Sequence, residues 1–274
     1  MVYLKEFSLV SENTENIILS EEKRTYFHNQ YPFRIFPKKE FKDIKFSDVT
    51  ILYGGNGSGK STILNIIANK LNCDGSFGVH GEMMMKYLEH CRFETSMEYF
   101  EEAISNVRRI NNRGFSQREM LFREYFDNKD KTIDDMNDYQ NLKNSIDAKR
   151  KSASNYVRNR VLDKDVKEQS NGEAALMYFV SEIKENSLYL LDEPENSMSA
   201  AMQLKLTKFL EESARFFNCQ FIIATHSPFL LGMTGAIIYD LDSVPVTNKN
   251  FWKLENMKLY YDFFKQNSAK FEQK

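Results

Sequence analysis

Three short stretches of the chain are apolar at nearly every position: Val49-Thr50-Ile51-Leu52-Tyr53, Ser187-Leu188-Tyr189-Leu190-Leu191 and Gln220-Phe221-Ile222-Ile223-Ala224. Uninterrupted runs of this length, rich in β-branched and aromatic residues, predict strands buried on both faces, as in a parallel sheet. The residues after the first run repeat with a helical period, placing Ile63, Leu64, Ile66, Ile67, Ala68 and Leu71 on one face. A second helix is predicted over 200–217, between the second and third strands. A third covers the apolar run Ala174, Ala175, Leu176, Met177, Tyr178, Phe179, Val180 and Ile183. Strands alternating with helices predict an α/β fold with a mainly parallel central sheet flanked by helices.

The remaining segments read differently. Before residue 49 the pattern is β-rich, with candidate strands at 2–7, 17–19 and 34–36 broken by Pro32 and Pro37, and it predicts a β-rich N-terminal layer. From about 92 to 168 there is no proline, the only glycine is Gly114, and acidic and basic residues interleave, which predicts a helical insertion. Ser116-Gln117-Arg118-Glu119 has the form of a capping box within it. An aromatic helix is predicted at about 250–274, and the whole of 1–274 is read as a single domain.

Composition narrows the function. The 37 Lys and Arg residues nearly cancel 39 Asp and Glu, so no global field draws in nucleic acid. A local patch does stand out, with Lys149, Arg150, Lys151, Arg158 and Arg160 free of intervening acids between Ala148 and Leu162. It is either a solvated helix face or a contact for nucleic-acid phosphates or a protein partner. Cys73, Cys91 and Cys219 contain no C-x-x-C pair, and with His80 and His90 they match no zinc spacing; a reduced, cytoplasmic protein without membrane insertion is expected.

The chemistry starts at the end of the first buried strand. Gly54-Gly55-Asn56-Gly57-Ser58-Gly59-Lys60-Ser61-Thr62 fits the pattern G-x-x-x-x-G-K-[ST], and it lies between a strand and a helix as a phosphate loop must. Its glycines allow successive N–H groups to face phosphate oxygens, and the helix N-terminus adds partial positive charge. Lys60 is the candidate for the β- and γ-phosphates, Ser61 for a ligand to Mg²⁺, and Thr62 for a neighbouring phosphate or backbone bond. Tyr26, Phe33, Phe36 and Phe41 are candidate adenine-stacking aromatics or, equally, core residues.

Two further sites follow in order. Ser170 and Gly172, in Gln169-Ser170-Asn171-Gly172-Glu173, present a hydroxyl and a close-approach amide at a predicted helix N-terminus, where an anion is favoured. The second buried strand then ends in Asp192-Glu193-Pro194, the Walker B arrangement, with Asp192 as candidate Mg²⁺ holder and Glu193 as candidate proton acceptor from an attacking water. The third strand delivers Thr225-His226-Ser227-Pro228, and His226 can donate to a γ-phosphate or position Glu193 and the water.

In this order the motifs resemble those of the ATP-binding-cassette class of P-loop ATPases, over about residues 49–242. Ser170-Asn171-Gly172-Glu173, Asp192-Glu193-Pro194-Glu195-Asn196 and Ala224-Thr225-His226-Ser227-Pro228 are similar to the non-transporter branch, including stand-alone bacterial ATPases and the chromosome-maintenance, break-repair and overcoming-lysogenization-defect heads. The resemblance implies a Mg²⁺-dependent ATPase that dimerises around ATP. The signature at Ser170 and Gly172 of one copy would close on the γ-phosphate held by the other and drive a partner assembly in DNA processing or phage defence. A transporter's energy-coupling subunit and an ATP-gated clamp with little turnover are the alternatives. Three positions depart from the class: Gln169 stands for its leucine, Ser199 for its D-loop aspartate, and Gln117 is an unconvincing counterpart of its metal-sensing glutamine.

Overall fold

The computed structural model describes residues 1–22, 30–73, 81–96 and 182–272, the backbone of 108–111, and residues 175, 176, 179 and 180. Its strands are β1 (Leu4–Ser8), β2 (Asp43–Lys45), β3 (Val49–Tyr53), β4 (Arg92–Thr95), β5 (Arg108–Asn111), β6 (Leu188–Asp192), β7 (Gln220–Ala224), β8 (Ile237–Asp240) and β9 (Thr247–Asn248). Its helices are α1 (Glu12–Glu21), α2 (Lys60–Lys70), α3 (Glu82–His90), α4 (Ala200–Phe216), α5 (Pro228–Leu231), α6 (Glu255–Gln266) and α7 (Ser268–Phe271).

The central sheet has the order β5-β6-β7-β3-β8-β9, parallel throughout except for the antiparallel edge strand β9. Successive side chains of a strand point to opposite faces, and the core divides accordingly. Leu52, Leu190 and Ile222 pack with α2 and the N-terminal layer. Ile51, Leu191 and Ile223 pack with α4, α5, Phe179 and Val180. Since β3, β6 and β7 are parallel neighbours, the loops that follow them all open at one edge of the sheet, and the β6 and β7 register of Asp192 with Ala224 places those ends level. This edge is where a parallel sheet flanked by helices binds ligands.

The N-terminal layer is a three-stranded antiparallel sheet, order β2-β1-β4. It is joined to the central sheet by the buried side chain of Gln220, whose Oε1 accepts from Tyr3 N at 2.8 Å and Leu4 N at 2.9 Å. Gln220 Nε2 donates to Leu4 O at 2.8 Å and Ser47 O at 3.1 Å.

Three expectations change. The strand predicted at 17–19 is part of α1, where Ser11 caps the helix by accepting from Thr14 N at 3.3 Å, and Glu15 and Ile18 face inward at helical spacing. Residues 34–36 form a turn in which Arg34 takes φ +62° and donates its N–H to Glu15 Oε2 at 2.7 Å. The helical reading of 92–168 is corrected at both places the structure describes, since 92–95 and 108–111 are strands; the sheet edges offered by β1 and β6 outweigh local helical preference there. The rest of that segment, with Lys149, Arg150, Lys151, Arg158 and Arg160, lies outside the described residues. The aromatic terminal helix is present as α6, with Trp252 in the 3₁₀ turn before it.

Candidate active site

The loop 54–59 leaves β3 and enters α2 through Gly59, whose φ of +103° is open to glycine; a Cβ there would lie 3.2 Å from the Phe36 ring and 3.6 Å from Ile35. No side chain caps the first turn of α2, so its amides are left for an anion. Asn56 and Gly57 form the exposed tip, while Ser58 turns a buried hydroxyl inward and donates its N–H to Gly55 O at 3.2 Å. The aromatics Phe33, Phe36 and Phe41 are buried in the core as packing residues, Phe33 edge-on to Tyr87 at 5.1 Å, Phe41 beside Tyr239 at 5.4 Å and Phe36 against Gly59 of the loop. Tyr26 lies outside the described residues.

Lys60, 5 % exposed, donates from Nζ to Gly54 O at 2.6 Å and Gly55 O at 3.1 Å, with Glu193 Oε1 at 3.9 Å. Burial pulls its pKa below the usual lysine value, against the opposing pull of Glu193, Asp242, Asp192 and Glu195. Ser61 Oγ donates to Asp192 Oδ1 at 2.9 Å. One hydroxyl and one carboxylate oxygen that close, beside a phosphate loop, suit Mg²⁺, which takes few protein oxygens and completes its shell with phosphate and water. Among the described residues no cluster of three or more His, Cys, Asp and Glu is arranged to hold a metal, so phosphate oxygens are needed to complete such a site.

Glu193 sits at the left-handed φ of +47°, a conformation non-glycine residues adopt at a cost of order 1–3 kcal/mol. Its N–H donates to Ala224 O at 2.8 Å, which ties the turn after β6 to β7. The bend directs the carboxylate away from Asp192 toward His226, whose Nε2 lies 2.9 Å from Glu193 Oε1; Nδ1 of the same ring lies 3.4 Å from Gly54 O. Loop, acid pair and histidine therefore meet at one point of the sheet edge.

Three contributors carry no functional role in the sequence reading. Asn196 Nδ2 donates to Glu193 Oε2 at 3.1 Å. Glu195, 7 % exposed, accepts on Oε1 from Thr225 Oγ1 at 2.5 Å, His226 N at 3.1 Å and Ser227 N at 3.2 Å. Asp242 Oδ2 accepts from Gly55 N at 2.8 Å and anchors the start of the loop. The signal for Glu195 and Asn196 lies in the motif itself, two further polar residues on the turn that carries the acid pair. Asp242 is reached only through the pairing of β8 with β3, which its sequence position does not reveal. Ser199, at the D-loop position, caps α4 by accepting from Met202 N at 3.4 Å. Ser170, Gly172 and Gln117 lie outside the described residues.

The sequence model of the family described as ABC transporter matches residues 42–196, more than half of the chain. No curated protein matches the chain. Among solved structures, the Smc head domain with an extended coiled coil from Pyrococcus furiosus aligns over 96 % of this chain and 100 % of its own, at 14 % identity and a TM-score of 0.49. The SMC head domain from Thermotoga maritima aligns over 87 % and 94 %, at 15 % identity and 0.46. CbiO1 from Clostridium perfringens, part of the ABC transporter complex CbiONQ, aligns over 84 % and 88 %, at 18 % identity and 0.42.

Proposed function

The chain belongs to the ABC transporter family, and from that premise we propose that it is a Mg²⁺-dependent ATPase which closes as a dimer around ATP and transmits the closure to a partner assembly. The observation that carries this reading is the meeting of Lys60, Ser61, Asp192, Glu193 and His226 at the ends of three adjacent parallel strands, with the His226 ring 2.9 Å from Glu193.

The triphosphate lies along loop 54–61, bound by its amides and the N-terminus of α2. Lys60 exchanges the carbonyls of Gly54 and Gly55 for phosphate oxygens, at little net cost because one set of charge-assisted hydrogen bonds replaces another. Ser61, and Asp192 through water, would hold a Mg²⁺ ion, which would supply charge neutralisation for the phosphates. Glu193 takes a proton from the attacking water as its oxygen bonds to the γ-phosphorus, the bond to the β-bridging oxygen breaks, and ADP and inorganic phosphate form. His226 positions Glu193 and the water or donates to the γ-phosphate. Ser170 and Gly172 act on the nucleotide of the second copy, since one subunit already supplies its own phosphate-binding amides.

Complementation tests the reading. Ser170→Arg blocks closure by bulk, and Lys60→Ala removes the phosphate ligand. Each alone turns over little ATP, while mixing them creates one interface with an intact loop facing an intact Ser170, restoring about half the wild-type rate per mixed dimer if the sites are independent. Wild-type turnover by Ser170→Arg as a monomer overturns the dimeric mechanism, and absence of phosphate release by the wild type under all conditions overturns the ATPase assignment.

A further inference from the structure

We propose that Glu195 is a positioning residue for hydrolysis, its buried carboxylate holding the backbone of loop 225–227 so that the His226 imidazole stays against Glu193. The inference rests on the roles given above to Glu193 and His226.

The geometry is a closed circuit. Glu195 Oε1 binds His226 through its main chain, the His226 ring reaches Glu193 Oε1 at 2.9 Å, and Glu193 is two residues from Glu195 along the chain. Both ends of the imidazole's support thus originate in one turn, and displacement of Glu195 alters backbone and ring together. The same oxygen takes Thr225 Oγ1 and Ser227 N, so three donors from three consecutive residues converge on it, the last shared with Thr225 Oγ1, which accepts from Ser227 N at 2.9 Å. The ladder of β7 ends at Ala224, and the amides of His226 and Ser227 have no strand partner beyond it. A second brace meets the loop from α4, where Ser227 Oγ donates to Gln203 Oε1 at 2.7 Å and Gln203 Nε2 donates to Met198 O at 3.0 Å.

The arrangement is costly as a stability device alone. Glu195 Oε2 is buried without a hydrogen-bond partner, and an unsatisfied buried carboxylate oxygen is expensive. Burial pushes the Glu195 carboxyl above the usual carboxylate range, partly offset by the Thr225 hydroxyl and the turn's amides. Its contribution is therefore that of an acceptor fixed in place, which glutamine reproduces and alanine does not.

The test compares Glu195→Ala, Glu195→Gln and Thr225→Val, each alone and in a His226→Ala background, by steady-state phosphate release and by amide hydrogen exchange. Glu195→Ala lowers kcat by about a hundredfold, the order of effect of a misplacement near 1 Å, and changes the KM for ATP less than about threefold. Glu195→Gln recovers most of the rate, and Thr225→Val, which removes one of the three donors to Glu195 Oε1 together with the Oγ1 that accepts from Ser227 N, causes a loss in the same direction, smaller than that of Glu195→Ala. Because Glu195 acts through His226, Glu195→Ala costs less than about twofold further in the His226→Ala background. The amide of His226 exchanges faster in Glu195→Ala and, to a lesser degree, in Thr225→Val, while those of Ile222 and Ile223 are unchanged. Equal losses in both backgrounds, a loss confined to KM, or unchanged protection of His226 overturns the proposal. The exchange measurement tests the hold of Glu195 on loop 225–227 even if the wild type proves not to hydrolyse ATP, so a failure of that hold is distinguishable from a failure of the ATPase reading.

Discussion

Glu193→Gln is the substitution that most directly separates chemistry from architecture at this site. Glutamine has the same shape, and its Oε1 still accepts from His226 Nε2, 2.9 Å away in the wild type. The new amide nitrogen replaces Oε2 and faces Asn196 Nδ2, which stood 3.1 Å from that oxygen, so two donors meet. Asn196 is exposed, and rotating its amide to present Oδ1 restores a hydrogen bond. The 3.9 Å approach of Lys60 to Glu193 loses its charge, but Lys60 keeps its bonds to Gly54 O and Gly55 O. Folding stability is therefore expected to change by no more than about 1 kcal/mol. Turnover responds differently, because no proton acceptor remains beside the attacking water, and losing a positioned general base costs about 10²- to 10⁴-fold. That range corresponds to about 2.7–5.4 kcal/mol of barrier. Single-turnover phosphate release measures the rate, urea unfolding the stability, and light scattering with Mg-ATP the dimer that accumulates when closure is not followed by hydrolysis. Turnover within about threefold of wild type, with an unchanged unfolding curve, refutes the assignment of Glu193 as the base.

Two further outcomes follow from buried polar groups away from the catalytic point. Gln220→Leu leaves Tyr3 N and Leu4 N without the acceptor they now share, and at about 1–3 kcal/mol per orphaned amide the loss in urea unfolding is about 2–6 kcal/mol; a loss below about 1 kcal/mol contradicts the link drawn between the two sheets. Burial raises the carboxyl of Glu15, with Arg34 N–H opposing, so the folded state holds a proton there that the unfolded state releases at a lower pH. Stability from this group is accordingly lost as pH rises from the ordinary carboxylate value through the raised one, and Glu15→Gln removes that slope. The melting-temperature advantage of the variant over wild type should grow with pH across that window and then level off, and parallel curves contradict it.

The strands that carry the chemistry were legible because burial on both faces leaves an unmistakable apolar run: β3 and β7 match the sequence reading residue for residue, and β6 is offset by a single position. Elements whose identity depends on a distant partner were not. Residues 92–95 become a strand because β1 has an open edge, and 34–36 becomes a turn because the Glu15 carboxylate, 19 residues away, takes the Arg34 amide. Motif spacing singled out Lys60, Ser61, Asp192, Glu193 and His226 as candidates, and the structure brings these residues together. The contribution of Asp242 could not, since nothing local to Asp240-Leu241-Asp242 says that β8 runs beside β3. Glu195 was visible as a letter of its motif, but its purpose depends on where loop 225–227 lies.

The order β6-β7-β3 has a dimensional consequence. The phosphate loop and the acid pair are held apart by the full width of one intervening strand, two interstrand spacings of about 4.8 Å each. That width is a property of peptide geometry, and substitution of side chains along β7 leaves it unaltered. The gap is like one cut to a fixed gauge, with Ser61 and Asp192 sized to meet across it at 2.9 Å. A glutamate at position 192 would add one carbon–carbon bond of about 1.5 Å to a distance the sheet cannot widen. The added length would have to be taken up by swinging the carboxylate off the line to Ser61. At this edge the backbone sets the tolerance, and only side chains of the right length fit it.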